Sequence, residues 1–202
     1  MEPIERLPTG WEIHARPSLG RRILGLLGEL VQTLLIAGLL FLVVNLVTAR
    51  IRVEGSSMEP SLHDGEFVVV NRLVYRLSGS ERGDIIVFRY PLDPQRRFIK
   101  RIIGLPGDTV TIRDGQVFVN DTLLNEPYVA SSPRYNGEWI VGPGRVFVLG
   151  DNRNNSSDSQ NWGTLDTNEI IGKAVVVYWP LSDIGLIPHF ELAVASAEQP
   201  DP

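Results

Sequence analysis

Hydrophobic and polar positions change their spacing twice along this chain, and the changes divide it into three kinds of structure. Residues 1–20 are polar and interrupted by Pro3, Pro8, Gly10, Pro17 and Gly20, the pattern of a loose tail. Residues 30–48, LVQTLLIAGLLFLVVNLVT, then carry no charge at all. At about 1.5 Å of rise per residue this helix nearly matches a bilayer core of roughly 30 Å. Gln32, Thr33 and Asn45 fall near its ends, where polar groups cost least. A start at Ile23 would place Glu29 in lipid, so the uncharged heart is taken to begin at Leu30. Beyond residue 50 the period shortens. Strands are expected over 66–72, 85–90 and 98–103, and a hairpin over 110–119 around Asp114-Gly115. Further strands are expected near 139–141, 146–149 and 174–179, with Pro91 and Pro94 closing the second strand. Short strands separated by turns predict a mainly β, antiparallel domain behind a single N-terminal transmembrane helix.

Three readings compete for the apolar run. A buried core helix is the weakest, given its length and basic flanks. A cleaved signal peptide would use the small residues of Val47-Thr48-Ala49, but the run exceeds the roughly 7–15 residues usual for such signals. An uncleaved anchor fits best. Arg6, Arg16, Arg21 and Arg22 precede it and Arg50 and Arg52 follow, a balance that favours a cytoplasmic N-terminus and a translocated domain. The expected organisation is a cytoplasmic tail over 1–22, an anchor over 23–49, a β-rich catalytic domain over 50–112 and 146–190, a small β-hairpin subdomain over 113–145, and a C-terminal tail over 191–202.

Composition removes several chemistries. The chain of 202 residues has a formal net charge of −5 with mixed signs, and no basic tract of the kind that grips nucleic acid. It has no cysteine, which excludes thiol catalysis, disulfides and thiolate metal sites. Its 3 histidines, His14, His63 and His189, are scattered and form no zinc-binding pattern. A metal site is therefore not expected. His63 lies near a serine pair but reads as a solvated loop residue.

What remains is serine and lysine. Ser56 and Ser57 stand between Gly55 and Met58-Glu59-Pro60, a few residues past the apolar run. A serine hydroxyl needs a base beside it to act as a nucleophile. Lys100 is flanked by Phe98, Ile99, Ile102 and Ile103, so it is either an edge residue reaching solvent or a desolvated amine. Burial lowers a lysine pKa, and a serine paired with neutral lysine is a known variant of the hydrolytic triad. The polar loop 150–159, GDNRNNSSDS, alone reads as a solvated turn. Its place between two apolar strands argues for a structured loop, with Arg153 able to pair with a carboxylate such as Asp158.

GSSMEPSL at 55–62, GDIIVF at 83–88, FIKRIIGLPGD at 98–108 and GDNRNNSSDS at 150–159, in this order behind an apolar run, closely resemble the boxes of the bacterial type I signal peptidases. The resemblance covers nearly everything from 30 to about 180. It implies a membrane-anchored serine endopeptidase that removes signal peptides from exported preproteins, cleaving after small residues at −1 and −3. It further implies that Ser57 is the nucleophile and Lys100 the general base. By the same resemblance Ser156 orients the lysine amine, and Asp158 with Arg153 holds the active-site loop beside Met58. Val53, Gly55, Leu62, Val87, Phe98 and Ile99 fall where the family's shallow pockets accept small side chains. The implied partners are preprotein signal peptides, the lipid bilayer and the neighbourhood of the export translocon, with no cofactor, no nucleic acid and a monomeric enzyme. Two positions depart from the pattern. Gly55 stands where some members carry a serine that supports the oxyanion, and Asn154 replaces a common acidic residue. Two other readings are a related Ser–Lys self-cleaving repressor, which would require a soluble chain with a DNA-binding domain, and a membrane-tethered β-domain that only binds partners.

Overall fold

A computed structural model describes residues 19–190 and Leu192. The expected polar tail before residue 19 and nearly all of the C-terminal tail lie outside the described residues. The chain falls into two compact units, Met1–Val44 and Asn45–Pro202.

The first unit holds most of helix α1, Leu19–Val47. Its stretch Ile23–Val47 is long and apolar enough to cross a membrane, with mean hydropathy 2.5 and none of it buried inside the protein. That exposure removes the core-helix reading. The helix starts well before Leu30, because no proline interrupts the sequence between 19 and 30 and its glycines only weaken the helix. Glu29 therefore lies within the helix, and Thr33 Oγ1 donates to its backbone carbonyl at 2.8 Å.

The second unit takes in the end of the helix, residues 45–47. Val47 is the last helical residue, and strand β1, Thr48–Arg52, follows it directly. Thr48 and Ala49 therefore belong to the β-domain and not to the expected anchor over 23–49. β1 runs antiparallel to β2, Phe67–Asn71, with Thr48 opposite Asn71 and Arg52 opposite Phe67. A short helix α2, Val74–Leu77, leads to β3, Ile85–Tyr90, and to β4, Asp93–Gly104. β4 starts five residues before the expected Phe98, so Pro94 lies inside a strand. The register shifts there, between Arg89 and Tyr90, and the sheet tolerates a residue without an N–H at such an irregularity.

β5, Thr109–Arg113, β6, Gln116–Val119, β7, Thr122–Leu123, and β8, Gly137–Ile140, form a separate four-stranded sheet. This small sheet starts at Thr109, earlier than the boundary expected at 113, because a tight hairpin keeps both of its arms in one sheet. Asp114 at φ +51° and Gly115 at φ +74° make that turn. The chain returns through β9, Arg145–Leu149, helix α3, Ser159–Trp162, β10, Leu165–Asp166, β11, Ile170–Trp179, and β12, Gly185–Leu186. The large sheet has the order β1-β2-β11-β3-β4-β9-β10, with β12 paired to β11.

Alternation along β3 and β4 builds two cores on opposite faces. Val87 and Ile99 join Val53, Met58, Leu62 and Val70 in one. Ile86, Phe88 and Ile102 join Val146, Val148 and Leu165 in another. A third cluster, from Ile103 and Phe147 to Ile112 and Val119, seats the small sheet on the large one.

Candidate active site

The link between β1 and β2 is a closed loop. Val53 N–H donates to Glu66 O at 2.7 Å and Gly65 N–H donates to Val53 O at 3.0 Å, which pinches its base. Met58 and Leu62 are both 0% exposed and plug the loop into the first core. Gly55 takes φ +81°, a conformation that strains any L side chain, and its N–H donates to Asp64 Oδ1 at 2.7 Å. A serine there would carry backbone strain, which gives a physical reason for glycine at this position. Ser57 follows, half-buried on the turn that Met58 holds down.

Lys100 comes to this loop from the middle of β4, where it stands opposite Ile86. It is 4% exposed, and its Nζ lies 2.6 Å from Ser57 Oγ and 2.8 Å from Ile99 O. The Phe98 ring centroid is 5.4 Å from the same nitrogen. Loss of water pushes the Lys100 pKa down to about 8 from an ordinary 10.5, while the carboxylates of Asp158 and Asp151 pull partly the other way. A substantial share of the amine is therefore neutral near physiological pH, and a neutral amine 2.6 Å from a hydroxyl can accept its proton.

The loop after β9 holds the serine segment from the other side. Asn152 N–H donates to Ser57 O at 3.1 Å, Asn152 Nδ2 donates to Ser56 O at 3.1 Å, and Asn155 Nδ2 donates to Ser56 Oγ at 2.8 Å. Gly150 fits because a Cβ there would run into Ser156 Oγ and the Ser57 carbonyl oxygen. Asp158 is fully buried. It accepts from Gly150 N at 2.9 Å and Gln160 N at 3.3 Å, capping α3. Burial pushes its carboxyl above the ordinary aspartate value, against these N–H groups and nearby Lys100. Ser156 Oγ is buried and makes no hydrogen bond of good geometry, although its closeness to Asp158 helps hold that carboxyl down. It makes no bond to Lys100, whose second contact is with Ile99 O.

Arg153 does not pair with Asp158. Its two terminal nitrogens donate to Glu126 at 2.7 and 2.6 Å, and its Nε donates to Gly150 O at 3.1 Å. The fork geometry of a guanidinium matches a free carboxylate, and Asp158 is already occupied by backbone N–H groups. A second buried pair works beside it. Arg101 Nε and Nη2 donate to Asp151 at 2.9 and 2.7 Å, with both side chains at 0% exposure. Alternation along β4 sends Lys100 to one side and Arg101 to the other, so adjacent residues supply a titrating amine and a permanent cation.

Residues 27–179 match the family described as signal peptidase, peptidase S26. The chain belongs to that family. A probable signal peptidase I-2 of Synechocystis sp. is 41% identical over 167 residues, covering 79% of this chain and 76% of that relative. A signal peptidase I of Leptolyngbya laminosa is 39% identical over 171 residues, covering 78% and 82%. A crystal structure of a signal peptidase I from Enterococcus faecalis V583 is 32% identical and covers 48% of this chain and 97% of that one, with TM-score 0.45. The molecule is thus a serine peptidase of the signal peptidase type, anchored by its N-terminal apolar helix.

A groove of about 620 Å³ opens over the peptidase's Ser57 and Lys100, walled by Ile51, Arg52, Phe98 and Ile99. Of the side chains expected in the substrate pockets, Phe98 and Ile99 line this groove. Val53, Leu62 and Val87 are 1%, 0% and 0% exposed and do not line it: Val53 and Leu62 belong to the loop plugged into the first core, and Val87, opposite Ile99, is packed within the same cluster. Gly55 stands exposed at the loop tip. His63 is bonded to Glu66 and takes no part in the serine–lysine contact. Sequence reasoning missed Glu126, Arg101, Asp151, Asn152 and Asn155. All but Glu126 carried a signal, Arg101 as an unassigned position in FIKRIIGLPGD and the last three as unassigned polar positions in GDNRNNSSDS. Among the described residues no group of three or more His, Asp or Glu side chains is placed to hold a metal ion.

Proposed function

We propose that Ser57 is the nucleophile of this signal peptidase and Lys100 its general base, a reading carried by the 2.6 Å contact between a serine hydroxyl and a buried, largely desolvated amine. Neutral Lys100 takes the Ser57 proton as Oγ bonds to the scissile carbonyl carbon. The carbonyl oxygen becomes an oxyanion facing the Ser57 N–H, for which there is no protein acceptor among the described residues. Lys100, now an ammonium, gives its proton to the leaving amine as the C–N bond breaks, releasing the mature protein. Lys100 then deprotonates a water that attacks the acyl ester, and the signal peptide leaves with a carboxylate end. In this reading the buried Ser156 hydroxyl, beside Asp158, steadies the amine during these transfers, and Asp158 holds the loop through Gly150.

The substrate would lie extended in the groove beside β1, whose Arg50, Ile51 and Arg52 line it at the end of the large sheet's strand order, where a peptide can pair with the main chain. Small side chains at −1 and −3 suit the shallow walls near Ile99 and Phe98. The arginine balance around the apolar run supports a cytoplasmic tail over 1–22 and a catalytic domain on the translocated side, next to the translocon that delivers its substrates. The enzyme acts as a monomer in this reading, since both members of the dyad come from one chain. Purified protein incubated with a preprotein should yield a single cut after a small residue, by mass determination. Ser57→Ala and Lys100→Ala should each abolish it while leaving the fold intact, and persistence of cleavage in either would overturn the assignment.

A further inference from the structure

Arg89 and Arg97 stand directly opposite each other where β3 and β4 pair. Like charges in that position repel and destabilise a sheet unless something anionic lies between them. Their only carboxylate among the described residues is Glu169, 3.6 Å from Arg89 Nη1 and itself 38% exposed. Arg97 and Arg72 have no ion-pair partner among the described residues, and both are exposed. All three arginines wall one groove of about 850 Å³, whose floor includes Leu46 and Val47. Those two residues end the apolar span, and Arg72 N–H is bonded to Val47 O at 2.9 Å. The groove therefore opens where the span must leave the hydrocarbon, at the level of lipid headgroups. Positive charge, an excess of donors and an apolar floor at that level match one chemistry.

We infer that the groove of Arg72, Arg89 and Arg97 binds the phosphate of an anionic phospholipid, with the acyl chains continuing along the apolar floor at Leu46 and Val47. Guanidinium forks suit a phosphodiester's oxygens, and a bound phosphate would neutralise the opposed Arg89 and Arg97. Arg97 also lines the groove over Ser57 and Lys100, so a headgroup held there sits one side chain from the peptide-binding surface. Glu169 is a built-in competitor, occupying Arg89 when lipid is absent.

Native mass spectrometry of the full chain, released from detergent with phosphatidylglycerol or phosphatidylcholine of matched acyl chains, reads this directly. Phosphatidylglycerol should be retained preferentially, and the preference should fall with added salt. Each basic residue near an anionic headgroup is worth about five-fold in binding, so Arg72→Gln with Arg89→Gln should weaken retention by roughly 25-fold. Arg72→Lys with Arg89→Lys should keep most of it. Glu169→Gln should strengthen it by about two- to five-fold, an effect no purely structural role for the arginines would give. The Gln pair should still cleave a soluble peptide, and if it fails to fold, the Glu169→Gln and salt arms decide alone. Equal retention of the two lipids, indifference to Glu169→Gln, or displacement by millimolar inorganic phosphate as readily as by lipid would each overturn the inference. So would an effect of the Gln pair confined to the KM of acid-rich preproteins, which would assign the arginines to substrate.

Discussion

The charge state of Lys100 sets how the rate must depend on pH. With its pKa pushed down to about 8, about one amine in ten is neutral at pH 7 and about nine in ten at pH 9. If neutral Lys100 is the base, kcat/KM should rise about ten-fold between those values and then level off. An ordinary lysine near 10.5 would be neutral in only about one molecule in 3,000 at pH 7, and the rate would climb about 100-fold by pH 9 with no plateau. The two profiles differ in both height and shape. Steady-state cleavage of a short signal-peptide substrate by the full chain in mixed micelles, followed from pH 6 to 10.5, distinguishes them. The kcat/KM limb is the one to read, because it reports the free enzyme, whose geometry is the one described above. A flat profile would remove Lys100 from proton transfer. A steep climb without a plateau would mean that water reaches the amine and that burial does not tune it.

Three further outcomes follow from the same contacts. Lys100→Arg should be nearly inactive despite keeping the positive charge, because a guanidinium does not give up its proton at working pH; near-normal turnover in a single-turnover assay would leave the lysine as a fixed charge only. Since the folded pKa of Lys100 is lowered, the ammonium costs stability of about 3 kcal/mol below pH 8, and that cost is relieved as pH rises from about 8 towards 10.5. Lys100→Met should therefore raise the urea midpoint at pH 7 while abolishing cleavage, and the gain should shrink above pH 9. Glu126→Ala should cost about 3–5 kcal/mol in urea unfolding, because it strands the buried Arg153 guanidinium. A loss below about 1 kcal/mol would show that water replaces the carboxylate.

The sequence brought Ser57 and Lys100 forward because short motifs carried them, and the structure places the two side chains in contact. The strands with unbroken apolar runs, such as β3, were equally plain in the pattern. β1 was not. Thr-Ala-Arg-Ile-Arg offers a single large apolar residue, and its strand character comes from pairing with β2. The partner of Arg153 was hidden for a related reason. Which carboxylate an arginine takes depends on which one the fold leaves free, and Glu126 lies 27 residues away in a stretch with no periodicity. The expected pocket residues Val53, Leu62 and Val87 lie buried in the core and off the groove, since a motif position does not reveal how deeply the loop and sheet pack each side chain.

The small sheet takes on a different meaning once its ties to the catalytic loop are counted. Asp151 anchors that loop to the large sheet through Arg101, while Arg153 reaches Glu126, and Asn154 accepts from Arg134 N and donates to Ser132 O, both at 2.9 Å. The returning segment around 126–134 is thus a strut under the active site, and the hairpin tip at Asp114-Gly115 makes none of these ties itself but lies against Ser132, so that a side chain at 115 would press on it. A change at that tip reaches the catalytic loop only through Ser132, whereas a deletion reaching Glu126 orphans the buried Arg153 guanidinium inside the loop itself.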